Sequence, residues 1–144
     1  MNVMIPGGCG YVGAMLVPRL IAEGHRVTVY DAHWFGDGYL PDHQRLRVFR
    51  DDLRNADLFS QVCEGQDAII YLAGLTNNDL YERRRSIGDA VNKAIFPFVV
   101  ETAKAAKIKR FIFASSVAAY GSSDHDATEN DPLEPTTLYA KAKA

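Results

Sequence analysis

The sequence is poor in cysteine, in long apolar runs and in net charge, and each shortage excludes a class of protein. Its 144 residues contain two cysteines, Cys9 and Cys63, which form no Cys-x-x-Cys pair and are too few for a disulfide framework. This usage is typical of a reducing compartment, so we expect a cytoplasmic protein. The four histidines show no metal-ligand spacing, and we expect no metal site.

Membranes and nucleic acids are not expected partners. No apolar stretch approaches the roughly 20 residues that a membrane-spanning helix needs, and no basic region leads into an apolar signal segment. The formal net charge of -2 provides no basic face for a nucleic acid or an anionic membrane. We interpret the dense basic run Arg83-Arg84-Arg85 as a solvated helix face.

Apolar runs that end in turn residues alternate with segments of helical period, as in α/β proteins. Predicted strands cover residues 2–6, 26–30, 46–50, 67–72 and 110–115, and predicted helices cover residues 11–23, 55–63 and 87–107. This alternation predicts one domain over residues 1–144 with an α/β fold, a Rossmann-type doubly wound parallel sheet with helices on both faces. The last two strands are continuously apolar, which predicts burial on both faces.

Glycine and proline mark the expected boundaries of these elements. Gly24 is expected to end the first helix in a left-handed conformation. Pro18 and Pro97 lie inside predicted helices and are expected to kink or break them. The segment 121–137 is rich in Ser, Thr, Asp and Pro, and we predict a long surface loop there.

Three glycines connect the first strand to the first helix. Gly7, Gly10 and Gly13 follow the pattern Gly-x-x-Gly-x-x-Gly. At such a turn the helix N-terminus offers unpaired N–H donors, and the absence of side chains lets the backbone approach a phosphate closely. The glycines alone are also compatible with a tight turn that binds no ligand.

An acidic residue ends the second strand. Asp31 lies 18 residues after Gly13, where a carboxylate can accept hydrogen bonds from the two hydroxyls of an adenosine ribose. The same charge repels a 2′-phosphate, so we expect NAD rather than NADP. Asp52 follows the third strand, where it could contact the adenine amino group, but an acidic residue beside the N-terminus of the next helix is an equally good interpretation. Strand, glycine turn, helix, strand and acid in this order predict a dinucleotide-binding fold.

A tyrosine and a lysine stand four residues apart near the end of the sequence. On a helix, Tyr139 and Lys143 share one face, and an ammonium beside a phenol favours the phenolate, which can act as a general base. The pair is also compatible with an exposed helix face. Ser115 and Ser116 follow the last strand, where ligands of open α/β sheets bind and where a hydroxyl can contact the same substrate oxygen. Polar capping of the strand end explains the two serines equally well.

Together these motifs resemble the extended short-chain dehydrogenase/reductases, and most closely their NAD-dependent nucleotide-sugar epimerase and dehydratase branch. The resemblance covers essentially the whole chain and rests on the three glycines, Asp31, "DLR" at 52–54, "YLAG" at 71–74, "SSVAAYG" at 115–121 and the Tyr139-x-x-x-Lys143 pair. It implies that Ser116 orients the substrate, that Tyr139 is the base, and that Lys143 binds the nicotinamide ribose and tunes Tyr139. The implied cofactor-binding set is Gly7, Gly10, Tyr11, Val12, Gly13, Asp31, Asp52, Leu53, Leu72, Ala73, Gly74, Asn92, Ser115, Tyr139 and Lys143.

The resemblance also implies a reaction. Tyr139 would remove a proton from a sugar hydroxyl while hydride passes from the sugar carbon to NAD, and the keto intermediate would then be epimerised or dehydrated before the hydride returns. Val117 and Ala118 stand where the dehydratases of the branch carry an acidic pair, which favours an epimerase or a simple oxidoreductase. Ile95 and Phe96 replace a common Gly-Thr pair, which leaves the subfamily open, as does the alanine in place of the serine that usually precedes the lysine.

Members of this family continue for roughly as long again, with a further strand and a smaller domain that holds the nucleotide-sugar. We therefore expect an N-terminal fragment, truncated after about five strands and without its substrate domain, that does not turn over alone. The resemblance implies a nucleotide-sugar substrate and a homodimer in the full-length form. Two other functions stay open: a non-catalytic NAD-binding sensor, against which the serine, tyrosine and lysine argue, and an assembly module.

Overall fold

The computed structural model of the chain describes residues 1–34, 36, 39–76 and 78–144. Its strands are β1 (Asn2–Pro6), β2 (Arg26–Asp31), β3 (Leu46–Arg50), β4 (Ala68–Tyr71) and β5 (Arg110–Phe113). Its helices are α1 (Tyr11–Ala22), α2 (Ala56–Cys63), α3 (Asn78–Arg83), α4 (Arg85–Asp89), α5 (Phe96–Ala105) and α6 (Leu138–Lys143), with a π-helical turn at Ala90–Ala94 and a 3-10 turn at Val117–Tyr120. The chain divides into two compact units, Met1–Ala73 with Ile95–Ala114, and Gly74–Ala94 with Ser115–Ala144.

The five strands of the first unit form one parallel sheet in the order β3-β2-β1-β4-β5. The direction in which strands are added to the sheet reverses at β1, which pairs with β2 on one side and with β4 on the other. Ligands of open α/β sheets bind at such a reversal, beyond the carboxyl ends of the strands. The Rossmann-type fold that the sequence predicts is confirmed.

Two apolar clusters cover the two faces of this sheet. On one face, Val17 and Ile21 of α1 pack with alternate residues of β1 and β2. On the other face, α2 and α5 pack against the intervening residues, which include Met4 and Tyr30. Because successive side chains of a strand point to opposite faces, burial of both faces explains why β1 and β2 are apolar without alternation.

Burial on both faces holds for β4 and is wrong for β5. In β4, Ala68, Ile69 and Tyr71 are buried. β5 lies at the edge of the sheet, and Ile112 is 46% exposed while its neighbours Phe111 and Phe113 pack against Phe96. β5 also ends at Phe113, two residues before the predicted boundary.

The long helix predicted over 87–107 is interrupted. The structure instead has α4, the π-helical turn and α5, and it adds α3, which the sequence analysis did not predict. Pro97 lies in the first turn of α5, where its missing N–H costs no hydrogen bond, so the boundary expected there is confirmed. Pro18 does not break its helix, because α1 runs through it to Ala22 with Val17 and Ile21 anchored in the core.

Gly24 follows α1 with a φ of +89°, and its N–H donates to the carbonyl of Ile21. His25 N–H donates to the carbonyl of Leu20, which completes a left-handed helix end as expected. None of the helices in the described ranges has the length and apolar character needed to cross a membrane.

The second unit contains α3, α4, the π-helical turn, the 3-10 turn and α6. Tyr81 is fully buried, lies against Gly88, and donates from its hydroxyl to the Asp89 carboxylate at 3.0 Å. The basic run at 83–85 is exposed, as expected. Residues 121–137 contain no helix or strand and are mostly exposed, which confirms the predicted surface loop.

Candidate functional site

In the first unit, the residues predicted to bind a nucleotide lie beyond the carboxyl ends of four neighbouring strands. Gly7 follows β1, Asp31 is the last residue of β2, Asp52 follows β3, and Leu72 follows β4. Since the strands are parallel, these ends lie at the same edge of the sheet. The fold therefore brings the predicted residues of this unit together where a ligand is expected.

The fold itself requires three glycines near the start of α1, two in the turn from β1 and one in the first turn of the helix. Gly7 has a φ of +82°, and a Cβ there would lie 2.5 Å from the backbone nitrogen of Ala73. A Cβ on Gly8 would lie 2.8 Å from Cγ2 of Val29, and a Cβ on Gly13 would overlap the carbonyl oxygen of Gly8. Close packing thus explains these three glycines without a ligand.

Gly10 is packed less tightly than these three glycines. Its φ of -79° and ψ of -178° are open to any residue. Within the part of the chain that the structure describes, a Cβ on Gly10 would meet only the carbonyl oxygen of Gly7, at 3.3 Å. A bare backbone at a position with open space above it fits the close approach of a phosphate.

Backbone donors lie directly after Gly10. The N–H of Ala14 donates to the carbonyl of Gly10, so the N–H groups of Tyr11, Val12 and Gly13 precede the first intrahelical hydrogen bond. No side chain of the described ranges caps this end of α1. The side chains of Tyr11 and Val12 are 93% and 55% exposed, so these positions offer a phosphate chiefly their N–H groups.

The Asp31 carboxylate is held at both oxygens. Oδ2 accepts the N–H of Cys9 at 2.9 Å, and Oδ1 accepts the N–H of His33 at 2.8 Å. A carboxylate oxygen has two lone pairs, so each oxygen keeps one for a ribose hydroxyl. The arrangement fits the predicted ribose contact.

Asp52 is engaged by a neighbouring arginine. The Arg54 guanidinium donates to both carboxylate oxygens, at 2.8 and 2.7 Å, and holds the pKa of Asp52 below its usual range. Asp52 lies just before α2, which begins at Ala56 with Asn55 as its N-cap, so the interpretation as an acidic residue beside that helix N-terminus stays open. An adenine contact for Asp52 stays a prediction and requires Arg54 to share the carboxylate. Leu53 is buried in the core.

Leu72 and Ala73 lie where β4 leaves the sheet beside β1. Leu72 N–H donates to the carbonyl of Pro6 at 2.9 Å, and Ala73 is in backbone contact with Gly7. The two residues therefore lie beside the glycine turn, at the carboxyl end of β4.

In the second unit, Asn92 clamps the backbone of the segment that follows Gly74. Its Oδ1 accepts the N–H of Leu75 at 2.8 Å, and its Nδ2 donates to the carbonyl of Leu75 at 2.9 Å. Asn92 and Leu75 are both buried, and Gly74 has a φ of +149° with Asn92 Oδ1 3.0 Å from where its Cβ would be. The amide of Asn92 thus supports the loop rather than facing outward.

Replacing Asn92 with leucine is expected to lower the free energy of unfolding by about 2 kcal/mol or more, because two buried backbone groups lose their partner. Lys93→Ala is the matched control, since Lys93 is exposed on the same turn and forms a surface ion pair with Asp89 at 3.4 Å. Urea unfolding of both variants measures the difference. Equal stability of the two would contradict the clamp.

Ser115 and Ser116 have different partners. Ser115 Oγ donates to the carbonyl of Lys143 at 2.6 Å, so this hydroxyl fixes the end of α6. Ser116 Oγ accepts the N–H of Ala118 at 3.2 Å and caps the 3-10 turn. Because Ser116 accepts in that bond, its own proton is available to a substrate oxygen.

Tyr139 and Lys143 lie on α6, as the spacing predicts. Thr137 caps this helix by accepting the N–H of Ala140 at 3.1 Å. Lys143 is only 5% exposed, and burial lowers its pKa below the ordinary value, whereas Tyr139 is half-buried. The alternative of an exposed helix face is therefore wrong for Lys143.

Several residues of these sites were not identified from the sequence. Gly8 packs as tightly as the other turn glycines, Cys9 and His33 hold Asp31, and Arg54 holds Asp52. The position of Gly8 beside Gly7 was the one available signal. The contacts of Cys9, His33 and Arg54 have no sequence motif that would predict them.

Comparison with known proteins gives a consistent result. A family model described as the NAD dependent epimerase/dehydratase family matches residues 3–144. The dTDP-glucose 4,6-dehydratase of Streptomyces niveus is 30% identical over the whole of this chain and 46% of its own length. The Rossmann-type architecture is thus shared with proteins that carry a further half.

Two solved structures match 99% of this chain with a TM-score of 0.90 and 27% identity. One is the UDP-N-acetylglucosamine 4-epimerase of Methanobrevibacter ruminantium M1 in complex with UDP-N-acetylmuramic acid, of which 46% is covered. The other is the dTDP-glucose 4,6-dehydratase of Streptomyces venezuelae with NAD bound, of which 48% is covered. The chain spans about half the length of the relatives that it matches.

Proposed function

The chain belongs to the NAD-dependent epimerase/dehydratase family, whose cofactor is NAD, and from this premise we propose that it is the cofactor-binding part of a nucleotide-sugar epimerase. The proposal assigns the first unit to the adenosine and pyrophosphate of NAD. Gly10 and the N–H groups that follow it would hold the pyrophosphate, and Asp31 would hold the adenine ribose. The open space at Gly10 supports this assignment.

In the second unit, the proposal makes Ser116, Tyr139 and Lys143 the catalytic residues. Tyr139 would take the proton of a sugar hydroxyl, Ser116 would hydrogen-bond the same oxygen, and Lys143 would favour the phenolate form of Tyr139. NAD, when bound, supplies the acceptor for the hydride of the sugar carbon and the donor for its return. Gly74 and Asn92 would support the cofactor through the clamped loop at Leu75.

Burial of Lys143 is the observation that carries the catalytic assignment. Lysine is among the residues that are least often buried, and burial here works against its charged form. Lys143 is buried in spite of this cost, and it lies one helical turn after the half-buried Tyr139. This placement favours a functional pair over a structural one. A sensor that only binds NAD would have no use for Tyr139 as a base.

Residues 117 and 118 favour an epimerase over a dehydratase. Val117 is 78% exposed and Ala118 has no ionisable group, so the 3-10 turn after Ser116 carries no carboxylate for proton transfer at the sugar ring. Elimination of water from the keto sugar needs such an acid and base. Epimerisation needs only the removal and return of hydride and of the hydroxyl proton.

Product analysis tests the proposed function. An enzyme of the relatives' length that carries these 144 residues is incubated with UDP-sugars and dTDP-glucose, without an added reductant. The proposal expects a product of unchanged mass and inverted configuration at one carbon. Loss of water from the sugar would instead identify a dehydratase, accumulation of NADH a simple oxidoreductase, and NAD binding without any product a sensor.

A further inference from the structure

Cys9, Asp31 and His33 contact one another in the first unit, and we call this group the Cys9–His33 latch. The N–H groups of Cys9 and His33 donate to the two oxygens of the Asp31 carboxylate, at 2.9 and 2.8 Å. The side chains of the two residues also touch, with Cys9 Sγ 3.4 Å from His33 Nε2. Two kinds of contact therefore join the glycine turn after β1 to the segment after β2. One is the pair of hydrogen bonds to Asp31, and the other is the side-chain contact between Cys9 and His33.

The backbone of the latch is held in an uncommon conformation. His33 has a φ of +55°, in the left-handed region, which is uncommon for residues other than glycine and which histidine, asparagine and aspartate adopt more often than the rest. This conformation directs its N–H at Asp31 Oδ1. Cys9 is 6% exposed, so its side chain is a fixed partner for the imidazole. Strain that the surrounding contacts maintain is typical of positions where function requires a set geometry.

We infer that Cys9 and His33 are positioning residues that fix the Asp31 carboxylate for the adenine ribose of NAD. This inference rests on the proposed function and deepens it. Two N–H donors, one on each oxygen, set the plane of the carboxylate and leave one lone pair of each oxygen for a ribose hydroxyl. A carboxylate that cannot rotate also keeps its negative charge close to the position of a 2′-phosphate and repels it. The latch therefore contributes to the preference for NAD over NADP.

A double-mutant cycle tests the latch in the 144-residue chain. Cys9→Ala removes the thiol, and His33→Asn removes the imidazole while keeping a residue that tolerates a positive φ. Cys9→Ser is the conservative variant, since a hydroxyl can still hydrogen-bond Nε2. Calorimetric Kd values for NAD and NADP are measured for the unaltered chain, the single variants and the double variant, with thermal unfolding as a check on the fold.

Each of Cys9→Ala and His33→Asn is expected to raise the Kd for NAD about threefold to tenfold. Because both substitutions remove the same contact between the two side chains, the Kd of the double variant should not exceed the higher Kd of the two single variants. The Kd for NADP should change less, so the preference for NAD over NADP becomes smaller in these variants. Cys9→Ser should keep the preference of the unaltered chain. Unchanged NAD binding in the single variants, multiplicative effects in the double variant, or equal loss for both nucleotides would overturn the latch alone. Failure of the unaltered chain, and of an enzyme of the relatives' length that carries it, to bind NAD would overturn the proposed function and the latch together.

Discussion

Replacing Gly10 with alanine is expected to weaken NAD binding by about a hundredfold or more while the chain stays folded. The backbone at Gly10 is in an ordinary extended conformation, and a Cβ there meets only one described atom of the chain, at 3.3 Å. The added methyl group would instead occupy the space where the pyrophosphate approaches. The free energy of unfolding should change by less than about 1 kcal/mol, since alanine is a poorer N-cap but a stiffer residue.

Gly13→Ala, in the first turn of α1, is the matched control. Its Cβ would overlap the carbonyl oxygen of Gly8, so the backbone must move and we expect a loss of about 3 kcal/mol or more in the free energy of unfolding. Urea unfolding and NAD calorimetry on both variants separate the two roles. An unfolded Gly10→Ala variant would show that Gly10 serves the turn. A folded variant that binds NAD like the unaltered chain would contradict the approach of the pyrophosphate at Gly10.

Replacing Tyr139 with phenylalanine is expected to lower turnover of the nucleotide-sugar by roughly 100- to 10,000-fold, the usual contribution of a general base. The measurement is made in an enzyme of the relatives' length that carries this chain. Only the hydroxyl is removed, and the half-buried ring keeps its packing on α6. NAD affinity and thermal stability should therefore change little.

Tyr120→Phe provides the comparison for this variant. Tyr120 is also a half-buried tyrosine of the second unit, at the end of the 3-10 turn, and has no assigned role in proton transfer. Removing the Tyr120 hydroxyl should lower turnover by less than about tenfold. Similar turnover of Tyr139→Phe and Tyr120→Phe would remove Tyr139 as the base.

The sheet could be predicted from the sequence because its causes are local. Apolar runs at β1, β2 and β4 are buried on both faces, and glycine or proline marks the ends of α1 and the start of α5. The interruption of the predicted helix 87–107 could not be predicted in the same way. It includes a buried Asn92 whose partner, Leu75, lies in a different segment, so no periodicity reveals it.

The candidate site was predictable only in outline. The spacing of Gly7, Gly10 and Gly13 identified the turn, but packing alone shows that Gly10 differs from the other two. Burial of Lys143 was equally hidden, since a lysine four residues after a tyrosine is as compatible with solvent as with a core. The contacts of Cys9 with His33 depend on where two loops meet, which no motif records.

Calorimetric titration of the unaltered 144-residue chain with NAD and with NADP tests the central claim most directly. The open backbone at Gly10, the N–H groups after it and the doubly held Asp31 carboxylate predict saturable binding of NAD and much weaker binding of NADP. Binding of both nucleotides with equal affinity would contradict the role of Asp31. Binding of neither by a chain that unfolds cooperatively would contradict the assignment of this turn to the pyrophosphate.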